Sequence, residues 1–396
     1  MKKLYLGIKM SKLNKIFYGP AGTGKTRKAI EEAVRIVQKS KDIHKLNFLE
    51  FDLSSYKNTI ECFKSVSNLP KLDISHKKLL DDIHNLNTDV DTIIKHKGYK
   101  GYLEDLENPK SHILKYRLYP LIETVTFHPS YAYQDFVEGI TVQTNKEDNS
   151  IEYKVKDGIF KKICDRAIDN PTYNYVLIID EINRGDISSI FGELFTLLED
   201  SKRKGVSEQM SINLPYSKDN MGNPEKLIVP SNLYIVATMN TVDKSIALID
   251  VALRRRFDFE ECMPQCDLEE LKKCTIVDLS KLLRIINERI SILKNEHYQI
   301  GHSYFLNITK IEELQDVMQN RILPLLQEYF YDDWKSICAI LNQSYSNSKD
   351  NKILISQQEN KNLFKSEFND LTEYQNKKIF KLNTQLSAQD IKSIYE

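Results

Sequence analysis

The sequence predicts an α/β fold in which a parallel central sheet is flanked by helices, and three stretches predict it. "KIFYGPAGTGKT" places a glycine-rich loop between a short apolar strand, Lys15 to Tyr18, and a helix on which Ala29, Ile30, Ala33, Val34 and Val37 recur at helical spacing. "YVLIIDEINRGD" is a continuous apolar run ending in two carboxylates, and such runs read as strands buried on both faces of a parallel sheet. "NLYIVATMN" is a third run of the same kind. A chain of 396 residues exceeds one ordinary core and suggests two domains.

The loop comes first. Gly19, Pro20, Ala21, Gly22, Thr23, Gly24, Lys25 and Thr26 match the phosphate-binding pattern. Its glycines let backbone N–H groups cradle phosphates, Lys25 reaches the terminal phosphates, and the Thr26 hydroxyl is a ligand for Mg²⁺. The apolar run from Val176 to Ile179 then delivers Asp180 and Glu181 to the carboxyl edge of the sheet, where ligands of open α/β folds gather. There Asp180 suits the magnesium shell and Glu181 suits orienting an attacking water. The competing reading makes Asp180 the N-cap of the helix that follows. Asn240, ending the third strand, reaches the same edge and can hydrogen-bond the water or the γ-phosphate. Asn240 and Asp243 also spell Asn-x-x-Asp, as in the guanine-reading element of small GTPases, but Thr241 stands where a lysine is needed.

Beyond it, Ile249, Ala252, Leu253 and Phe257 form one apolar helical face, and Arg254, Arg255 and Arg256 fall in its last turn. A helix C-terminus accommodates a cation for ~0.3 to 1 kcal/mol. One arginine satisfies that account. Three in a row point to an anion, and in a ring the phosphate at hand is the neighbouring subunit's, which makes the triplet a source of arginine fingers.

With these residues assembled, the chain resembles the AAA+ superfamily, specifically the McrB-like motors of modification-dependent restriction systems. The likeness extends through "TFHPSYAYQDFVEGI" (126–140), "KDGIFKKICDRA" (156–167), "IIDEINRGDISSIFGELFTLLE", "MNTVDKSIALIDVALRRRF", "IGHSYF" (300–305) and "ILPLLQEYFYDD" (322–333). It implies a nucleotide-binding α/β domain at 1–262 with a mostly helical insertion at about 41–115, then a small α-helical lid domain and tail at 263–396. It further implies a ring, usually hexameric, with nucleotide between protomers, hydrolysis driving movement on DNA, and a separate McrC-like endonuclease partner. On that pattern Lys25 and Thr26 belong to Walker A, Asp180 and Glu181 to Walker B, and Asn240 is the first sensor. Arg255 and Arg256 are the fingers, Asp243 supports them, and Asn183 and Arg184 lie near the nucleotide. Similar motors hydrolyse GTP, while the residues themselves leave GTP and ATP both open.

Two departures stand out. Better-known members of that family carry a DNA-reading domain before the motor, whereas Gly19 arrives almost at the start of this chain, so base recognition is expected to reside elsewhere or not to exist. The stretch from Arg27 to Tyr175 is longer than a compact motor needs, and Ile74, Leu79, Leu80, Ile83 and Leu86 keep a helical spacing within it. His302 stands in the lid, where many relatives in the wider superfamily use an arginine as second sensor. Ordinary polar packing is the preferred reading of His297 and His302, since a metal pair lacks a third ligand. In the tail, Phe364, Phe368, Leu371 and Tyr374 suggest a marginal helix.

Composition limits the rest. Basic and acidic residues number 56 each, so no global basic field draws the chain to nucleic acid or membrane, and DNA contact is expected on a local surface such as a ring channel. Cys262, Cys266 and Cys274 lack zinc-ligand spacing. No apolar run is long enough for a signal peptide or a membrane span, so a cytoplasmic protein is expected. A MoxR-like remodelling ATPase and a nucleotide-dependent scaffold with little turnover are the alternative functions. No nuclease constellation is evident.

Overall fold

The computed structural model describes residues 13–40, 121–144, 150–242, 251–331, 333–347, 351–356, 380–383 and 385–396. The insertion expected at about 41–115, Asp243, Ile249, the side chain of Ala252 and the tail positions Phe364, Phe368, Leu371 and Tyr374 lie outside the described residues. The chain divides into two units. The first takes Met1–Phe17, Thr26–Met239 and Ser245–Glu260, and the second Tyr18–Lys25, Asn240–Lys244 and Glu261–Glu396.

The central sheet has five strands, β1 (Asn14–Gly19), β2 (Ile122–Thr126), β5 (Tyr175–Asp180), β8 (Leu233–Asn240) and β9 (Asp258–Glu261), in the order β2-β5-β8-β1-β9. β5 runs parallel to β2 on one side and to β8 on the other, in a register that pairs Asp180 with Thr126 and Ile179 with Ala237. Flanked on both sides, Val176, Leu177, Ile178 and Ile179 are at most 1% exposed, as the unbroken apolar run requires. Helix α1 (Lys25–Gln38) buries Ala29, Ala33, Val34 and Val37 along one stripe, which is the periodicity read from the sequence.

The "TFHPSYAYQDFVEGI" segment owes its composition to packing. Phe136, on the short helix α2 (Tyr133–Phe136), meets Phe127 edge-on at 5.7 Å, Phe191 at 5.0 Å, and stacks on Phe160 at 5.0 Å. Two antiparallel hairpins follow in the first unit, β3 (Glu138–Thr144) with β4 (Ile151–Asp157), and β6 (Ile212–Lys218) with β7 (Pro224–Leu227). They are joined by the buried carboxylate of Glu138, which accepts the N–H groups of Tyr216 (2.7 Å) and Ser217 (3.2 Å) as well as the Ser217 hydroxyl. Among the described residues, helices α3 (Ile159–Asp169), α4 (Ile187–Phe191), α5 (Leu194–Leu197) and α6 (Val251–Arg256) also belong to this unit.

Among its described residues the second unit is largely helical: α7 (Glu269–Lys272), α8 (Leu279–Leu293), α9 (Ile311–Val317), α10 (Leu323–Phe330), α11 (Trp334–Ile340) and α12 (Ala388–Lys392), with β10 (Leu354–Ser356) paired antiparallel to β11 (Phe380–Leu382). Leu282, Leu283, Ile286 and Ile290 of α8 share a core with Phe305, Leu326 and Ile337. Asp278 caps α8 through the Lys281 N–H at 2.9 Å, and Asp333 caps α11 through the Ser336 N–H at 3.1 Å. The parallel sheet with flanking helices and a smaller α-helical lid is the fold class the sequence predicts.

Candidate nucleotide site

In the first unit, the parallel register brings the carboxyl ends of β5 and β8 side by side, and one hydroxyl organises what they carry. The Thr238 side chain, buried in β8, donates to Asp180 Oδ1 at 2.5 Å and accepts the Glu181 N–H at 3.0 Å. The Thr26 hydroxyl donates to the same Asp180 oxygen at 3.1 Å. Asp180 is therefore oriented from two sides. Glu181 has φ 52°, a left-handed conformation that costs a non-glycine residue about 1–3 kcal/mol and persists only where neighbours enforce it. Its bond to Thr238 is one such restraint. Arg184 Nε lies 3.8 Å from Glu181 Oε2, and Asn183 is buried beside it in sequence. The short 3₁₀ turn after the two carboxylates, Ile182–Arg184, starts from Glu181 with no side-chain cap, and α4 is capped by Asp186, whose side chain accepts the Ser189 N–H at 3.2 Å. Capping therefore does not explain Asp180. Thr238 was missed from sequence because a threonine inside an apolar strand reads as an ordinary β-former.

The three arginines of α6 differ in their surroundings. Arg254 and Arg255 are exposed, and the Arg254 guanidinium lies 5.6 Å from the centre of the Phe259 ring. Arg256 is folded inward. It pairs with Glu199 at 2.8 Å and lies 5.7 Å from the centre of the Phe195 ring. Its carbonyl accepts Asn14 Nδ2 at 2.9 Å, the same nitrogen that donates to Leu198 O at 2.8 Å. Asn14 Oδ1 in turn accepts from Arg203 at 2.7 Å. Arg203 is fully buried, and desolvation lowers its pKa to about 10. The end of α6 is thus tied to β1 through a buried polar network.

In the second unit lies the glycine-rich loop. Gly22 and Gly24 have φ values of 75° and 78°, and turns of this kind direct successive amides into an anion-binding concavity. The Lys25 ammonium donates to Gly19 O at 3.0 Å, Pro20 O at 2.7 Å and Asn240 Oδ1 at 3.2 Å. Loop, lysine and strand-ending amide are so brought together. Thr23 ties the turn through Pro20 O at 2.9 Å. The "IGHSYF" segment grips the loop: the Gly301 N–H donates to Ala21 O at 3.1 Å and the Ser303 N–H to Gly22 O at 3.0 Å. Sequence reasoning missed this grip. Lys25 and Thr26 are consecutive residues of α1.

The residues fit a magnesium nucleotide. One carboxylate and one hydroxyl, Asp180 and Thr26, are too few for an all-protein cage, whereas Mg²⁺ is usually held by one or two protein oxygens, waters and phosphate. Among the described residues no group of three or more His, Cys, Asp and Glu is arranged for a metal ion. Cys262, Cys266 and Cys274 form no disulfide among the described residues.

Residues 278–338 match the family described as the McrB alpha-helical lid domain, and residues 97–257 match the AAA domain of the dynein-related subfamily. The second match begins beyond the Gly19–Thr26 loop. Over 321 residues the chain is 32% identical to the EcoKMcrB subunit of the type IV methyl-directed restriction enzyme of Escherichia coli strain K12, covering 72% of this chain and 67% of that protein. It is 30% identical over 243 residues to the YdiS component of the type II restriction enzyme BsuMI of Bacillus subtilis strain 168, covering 52% of this chain and 68% of that one.

Proposed function

Because this chain belongs to the McrB-like family of AAA+ restriction subunits, we propose that it hydrolyses a nucleoside triphosphate between the subunits of a ring. In the same reading hydrolysis moves DNA and activates a separate endonuclease subunit, to which cleavage itself is assigned. The observation that supports this best is the hydrogen-bonded set Thr26, Asp180, Thr238 and Glu181 at the edge of the sheet, together with the contact of Lys25 with Asn240.

The roles follow from chemistry. Amides of Gly19–Lys25 bind phosphate oxygens, which compete with the Gly19 and Pro20 carbonyls for the Lys25 ammonium. Thr26 and Asp180 hold Mg²⁺, which when bound offsets charge on the phosphate oxygens. Glu181 orients the attacking water and takes its proton, while Asn240 holds water or γ-phosphate by a neutral hydrogen bond. Arg255 is the finger that exposure favours, and Arg256, paired with Glu199, positions it. Asp243 supports the same network. The family likeness favours GTP, in a hexamer, within the cytoplasm. Among the described residues no helix is long and apolar enough to cross a membrane.

Phosphate release from GTP and from ATP, with and without DNA, tests the proposal. One triphosphate is expected to turn over, and Glu181→Gln should slow it by roughly 10²- to 10⁴-fold with binding retained, the range for loss of a general base. Undiminished turnover in Glu181→Gln contradicts the assignment.

A further inference from the structure

The carbonyl that ends α6 is held by a side chain 242 positions earlier in the chain, and that side chain is itself held in one orientation. The last carbonyls of an α-helix have no partner within the helix, and Arg256 O is one of them. Asn14, the first residue of β1, donates to it from Nδ2 at 2.9 Å and to Leu198 O at 2.8 Å. An amide can turn over and present its oxygen where its nitrogen was. Here Oδ1 faces Arg203 Nη2 at 2.7 Å, and a guanidinium only donates. Arg203 therefore dictates which way the Asn14 amide points, and so whether Arg256 O meets a donor.

Arg203 is costly to keep in that place. Both it and Asn14 are 0% exposed. The oxygens that accept from Arg203 are all neutral: Asn14 Oδ1, Leu233 O at 3.3 Å, Leu198 O at 3.4 Å and Pro230 O at 3.5 Å. Its Nε has no acceptor among the described residues. A buried charge held only by dipoles carries a desolvation cost that an aliphatic side chain of similar volume avoids. The stretch from Phe195 to Arg203 also receives the Arg256 side chain, through Glu199 at 2.8 Å and the ring of Phe195. Main chain and side chain of Arg256 are thus both clamped, and the exposed Arg255 is joined to it by one peptide unit.

We infer that Arg203 and Asn14 are positioning residues for Arg255: they hold the end of α6 so that this arginine meets the nucleotide of the neighbouring subunit. The inference rests on the shared site given under Proposed function. It adds that a chain altered at either position is defective in the arginine it lends to its neighbour and sound in the site it keeps.

The test uses full-length chains with Mg²⁺. Arg203→Met fills the space and lets the amide turn; Asn14→Asp keeps the shape and the bond to Arg203 but has no donor for Arg256 O. Fluorescent N-methylanthraniloyl GDP and ADP should bind each variant within about threefold of the wild type, since the loop and the carboxylates are unaltered. Phosphate release should fall by roughly a hundredfold, the scale for a reacting group misplaced by about 1 Å. Equal mixtures then locate the defect. With Glu181→Gln chains, whose arginines are sound, each variant should recover toward about a quarter of wild-type turnover; with Arg255→Ala chains it should recover nothing. One variant that binds nucleotide suffices. A fault in the variant's own site gives the reverse, rescue by Arg255→Ala alone, and overturns the inference. So do rescue by neither, wild-type turnover in a variant that binds, and loss of nucleotide binding in both variants, which would make the pair a support of the whole fold. The mixture of Glu181→Gln with Arg255→Ala separates this from the underlying reading. If the wild type turns over neither GTP nor ATP, or that mixture fails to recover, the shared site itself fails. If that mixture recovers and those of Arg203→Met and Asn14→Asp with Glu181→Gln do not, only the positioning role fails.

Discussion

The glycine-rich loop and the carboxyl end of β5 carry the proposed chemistry in different materials. The loop is shaped by backbone: left-handed glycines at 22 and 24, carbonyls around the Lys25 ammonium, and two main-chain hydrogen bonds from residues 301 and 303. The end of β5 is shaped by side chains, with Thr26 and Thr238 both donating to one oxygen of Asp180. A backbone-built site has no spare room and should fail abruptly when a methyl group is added. One built from side chains should degrade by steps, according to which hydrogen bond is lost. The arginine triplet is intermediate: its backbone is anchored by Asn14, while its side chains point to different fates.

The largest expected effect concerns that triplet. Arg255→Ala should reduce turnover by roughly a thousandfold or more while nucleotide still binds, the scale for loss of an arginine finger. Arg256→Ala should differ in kind, because it releases Glu199 and uncovers Phe195. Melting should fall by a few degrees alongside turnover, since ~1 kcal/mol shifts a domain of this size by about 2–4 °C. Unchanged melting in Arg256→Ala, with turnover lost as in Arg255→Ala, would erase the distinction between the two.

Next comes the loop. A Cβ on Gly301 would stand 2.0 Å from the Gly22 carbonyl carbon, and one on Gly22 would stand 2.8 Å from Ser303 Oγ. Neither backbone can yield without breaking the grip. Gly301→Ala is expected to weaken nucleotide binding by on the order of a hundredfold, the consequence of an overpacking cost near 3 kcal/mol, as read by fluorescent nucleotide titration. An affinity within twofold of the wild type would show that the grip is dispensable.

The Thr238 hydroxyl beside the end of β5 should matter least. Thr238→Val keeps the shape of the side chain and leaves the Glu181 N–H without its acceptor, so stability is expected to fall by about 1–3 kcal/mol. Turnover should drop roughly tenfold as Glu181 loses its restraint, while Thr238→Ser retains the hydroxyl and stays within about threefold. Melting curves and phosphate release distinguish the two substitutions. Equal behaviour of valine and serine would mean that the hydroxyl does not organise the carboxylates.

How much was legible followed the same division. The loop was readable because its glycines, lysine and threonine answer to backbone geometry that permits few substitutes. β5 was readable because a strand buried on both faces must be apolar throughout, which makes Asp180 and Glu181 conspicuous at its end. Thr238 was not readable, because its hydroxyl matters only through the register that pairs β5 with β8. The inward turn of Arg256 was equally hidden, as it depends on Glu199 and Phe195, distant in sequence from the triplet. His302 illustrates the middle case: its residue type is conspicuous in the sequence, but the hydrogen bond its Nδ1 accepts from the Gln265 N–H is one that no spacing rule connects to it.

The central claim is that each chain supplies Glu181 to its own nucleotide and Arg255 to its neighbour's. Mixing Glu181→Gln chains with Arg255→Ala chains, each inactive alone, tests it most directly by steady-state phosphate release. In an equal mixture of freely exchanging subunits, about a quarter of the interfaces pair an intact glutamate with an intact arginine, so activity should recover toward that fraction of the wild type. A mixture no more active than the sum of its two components contradicts the shared site.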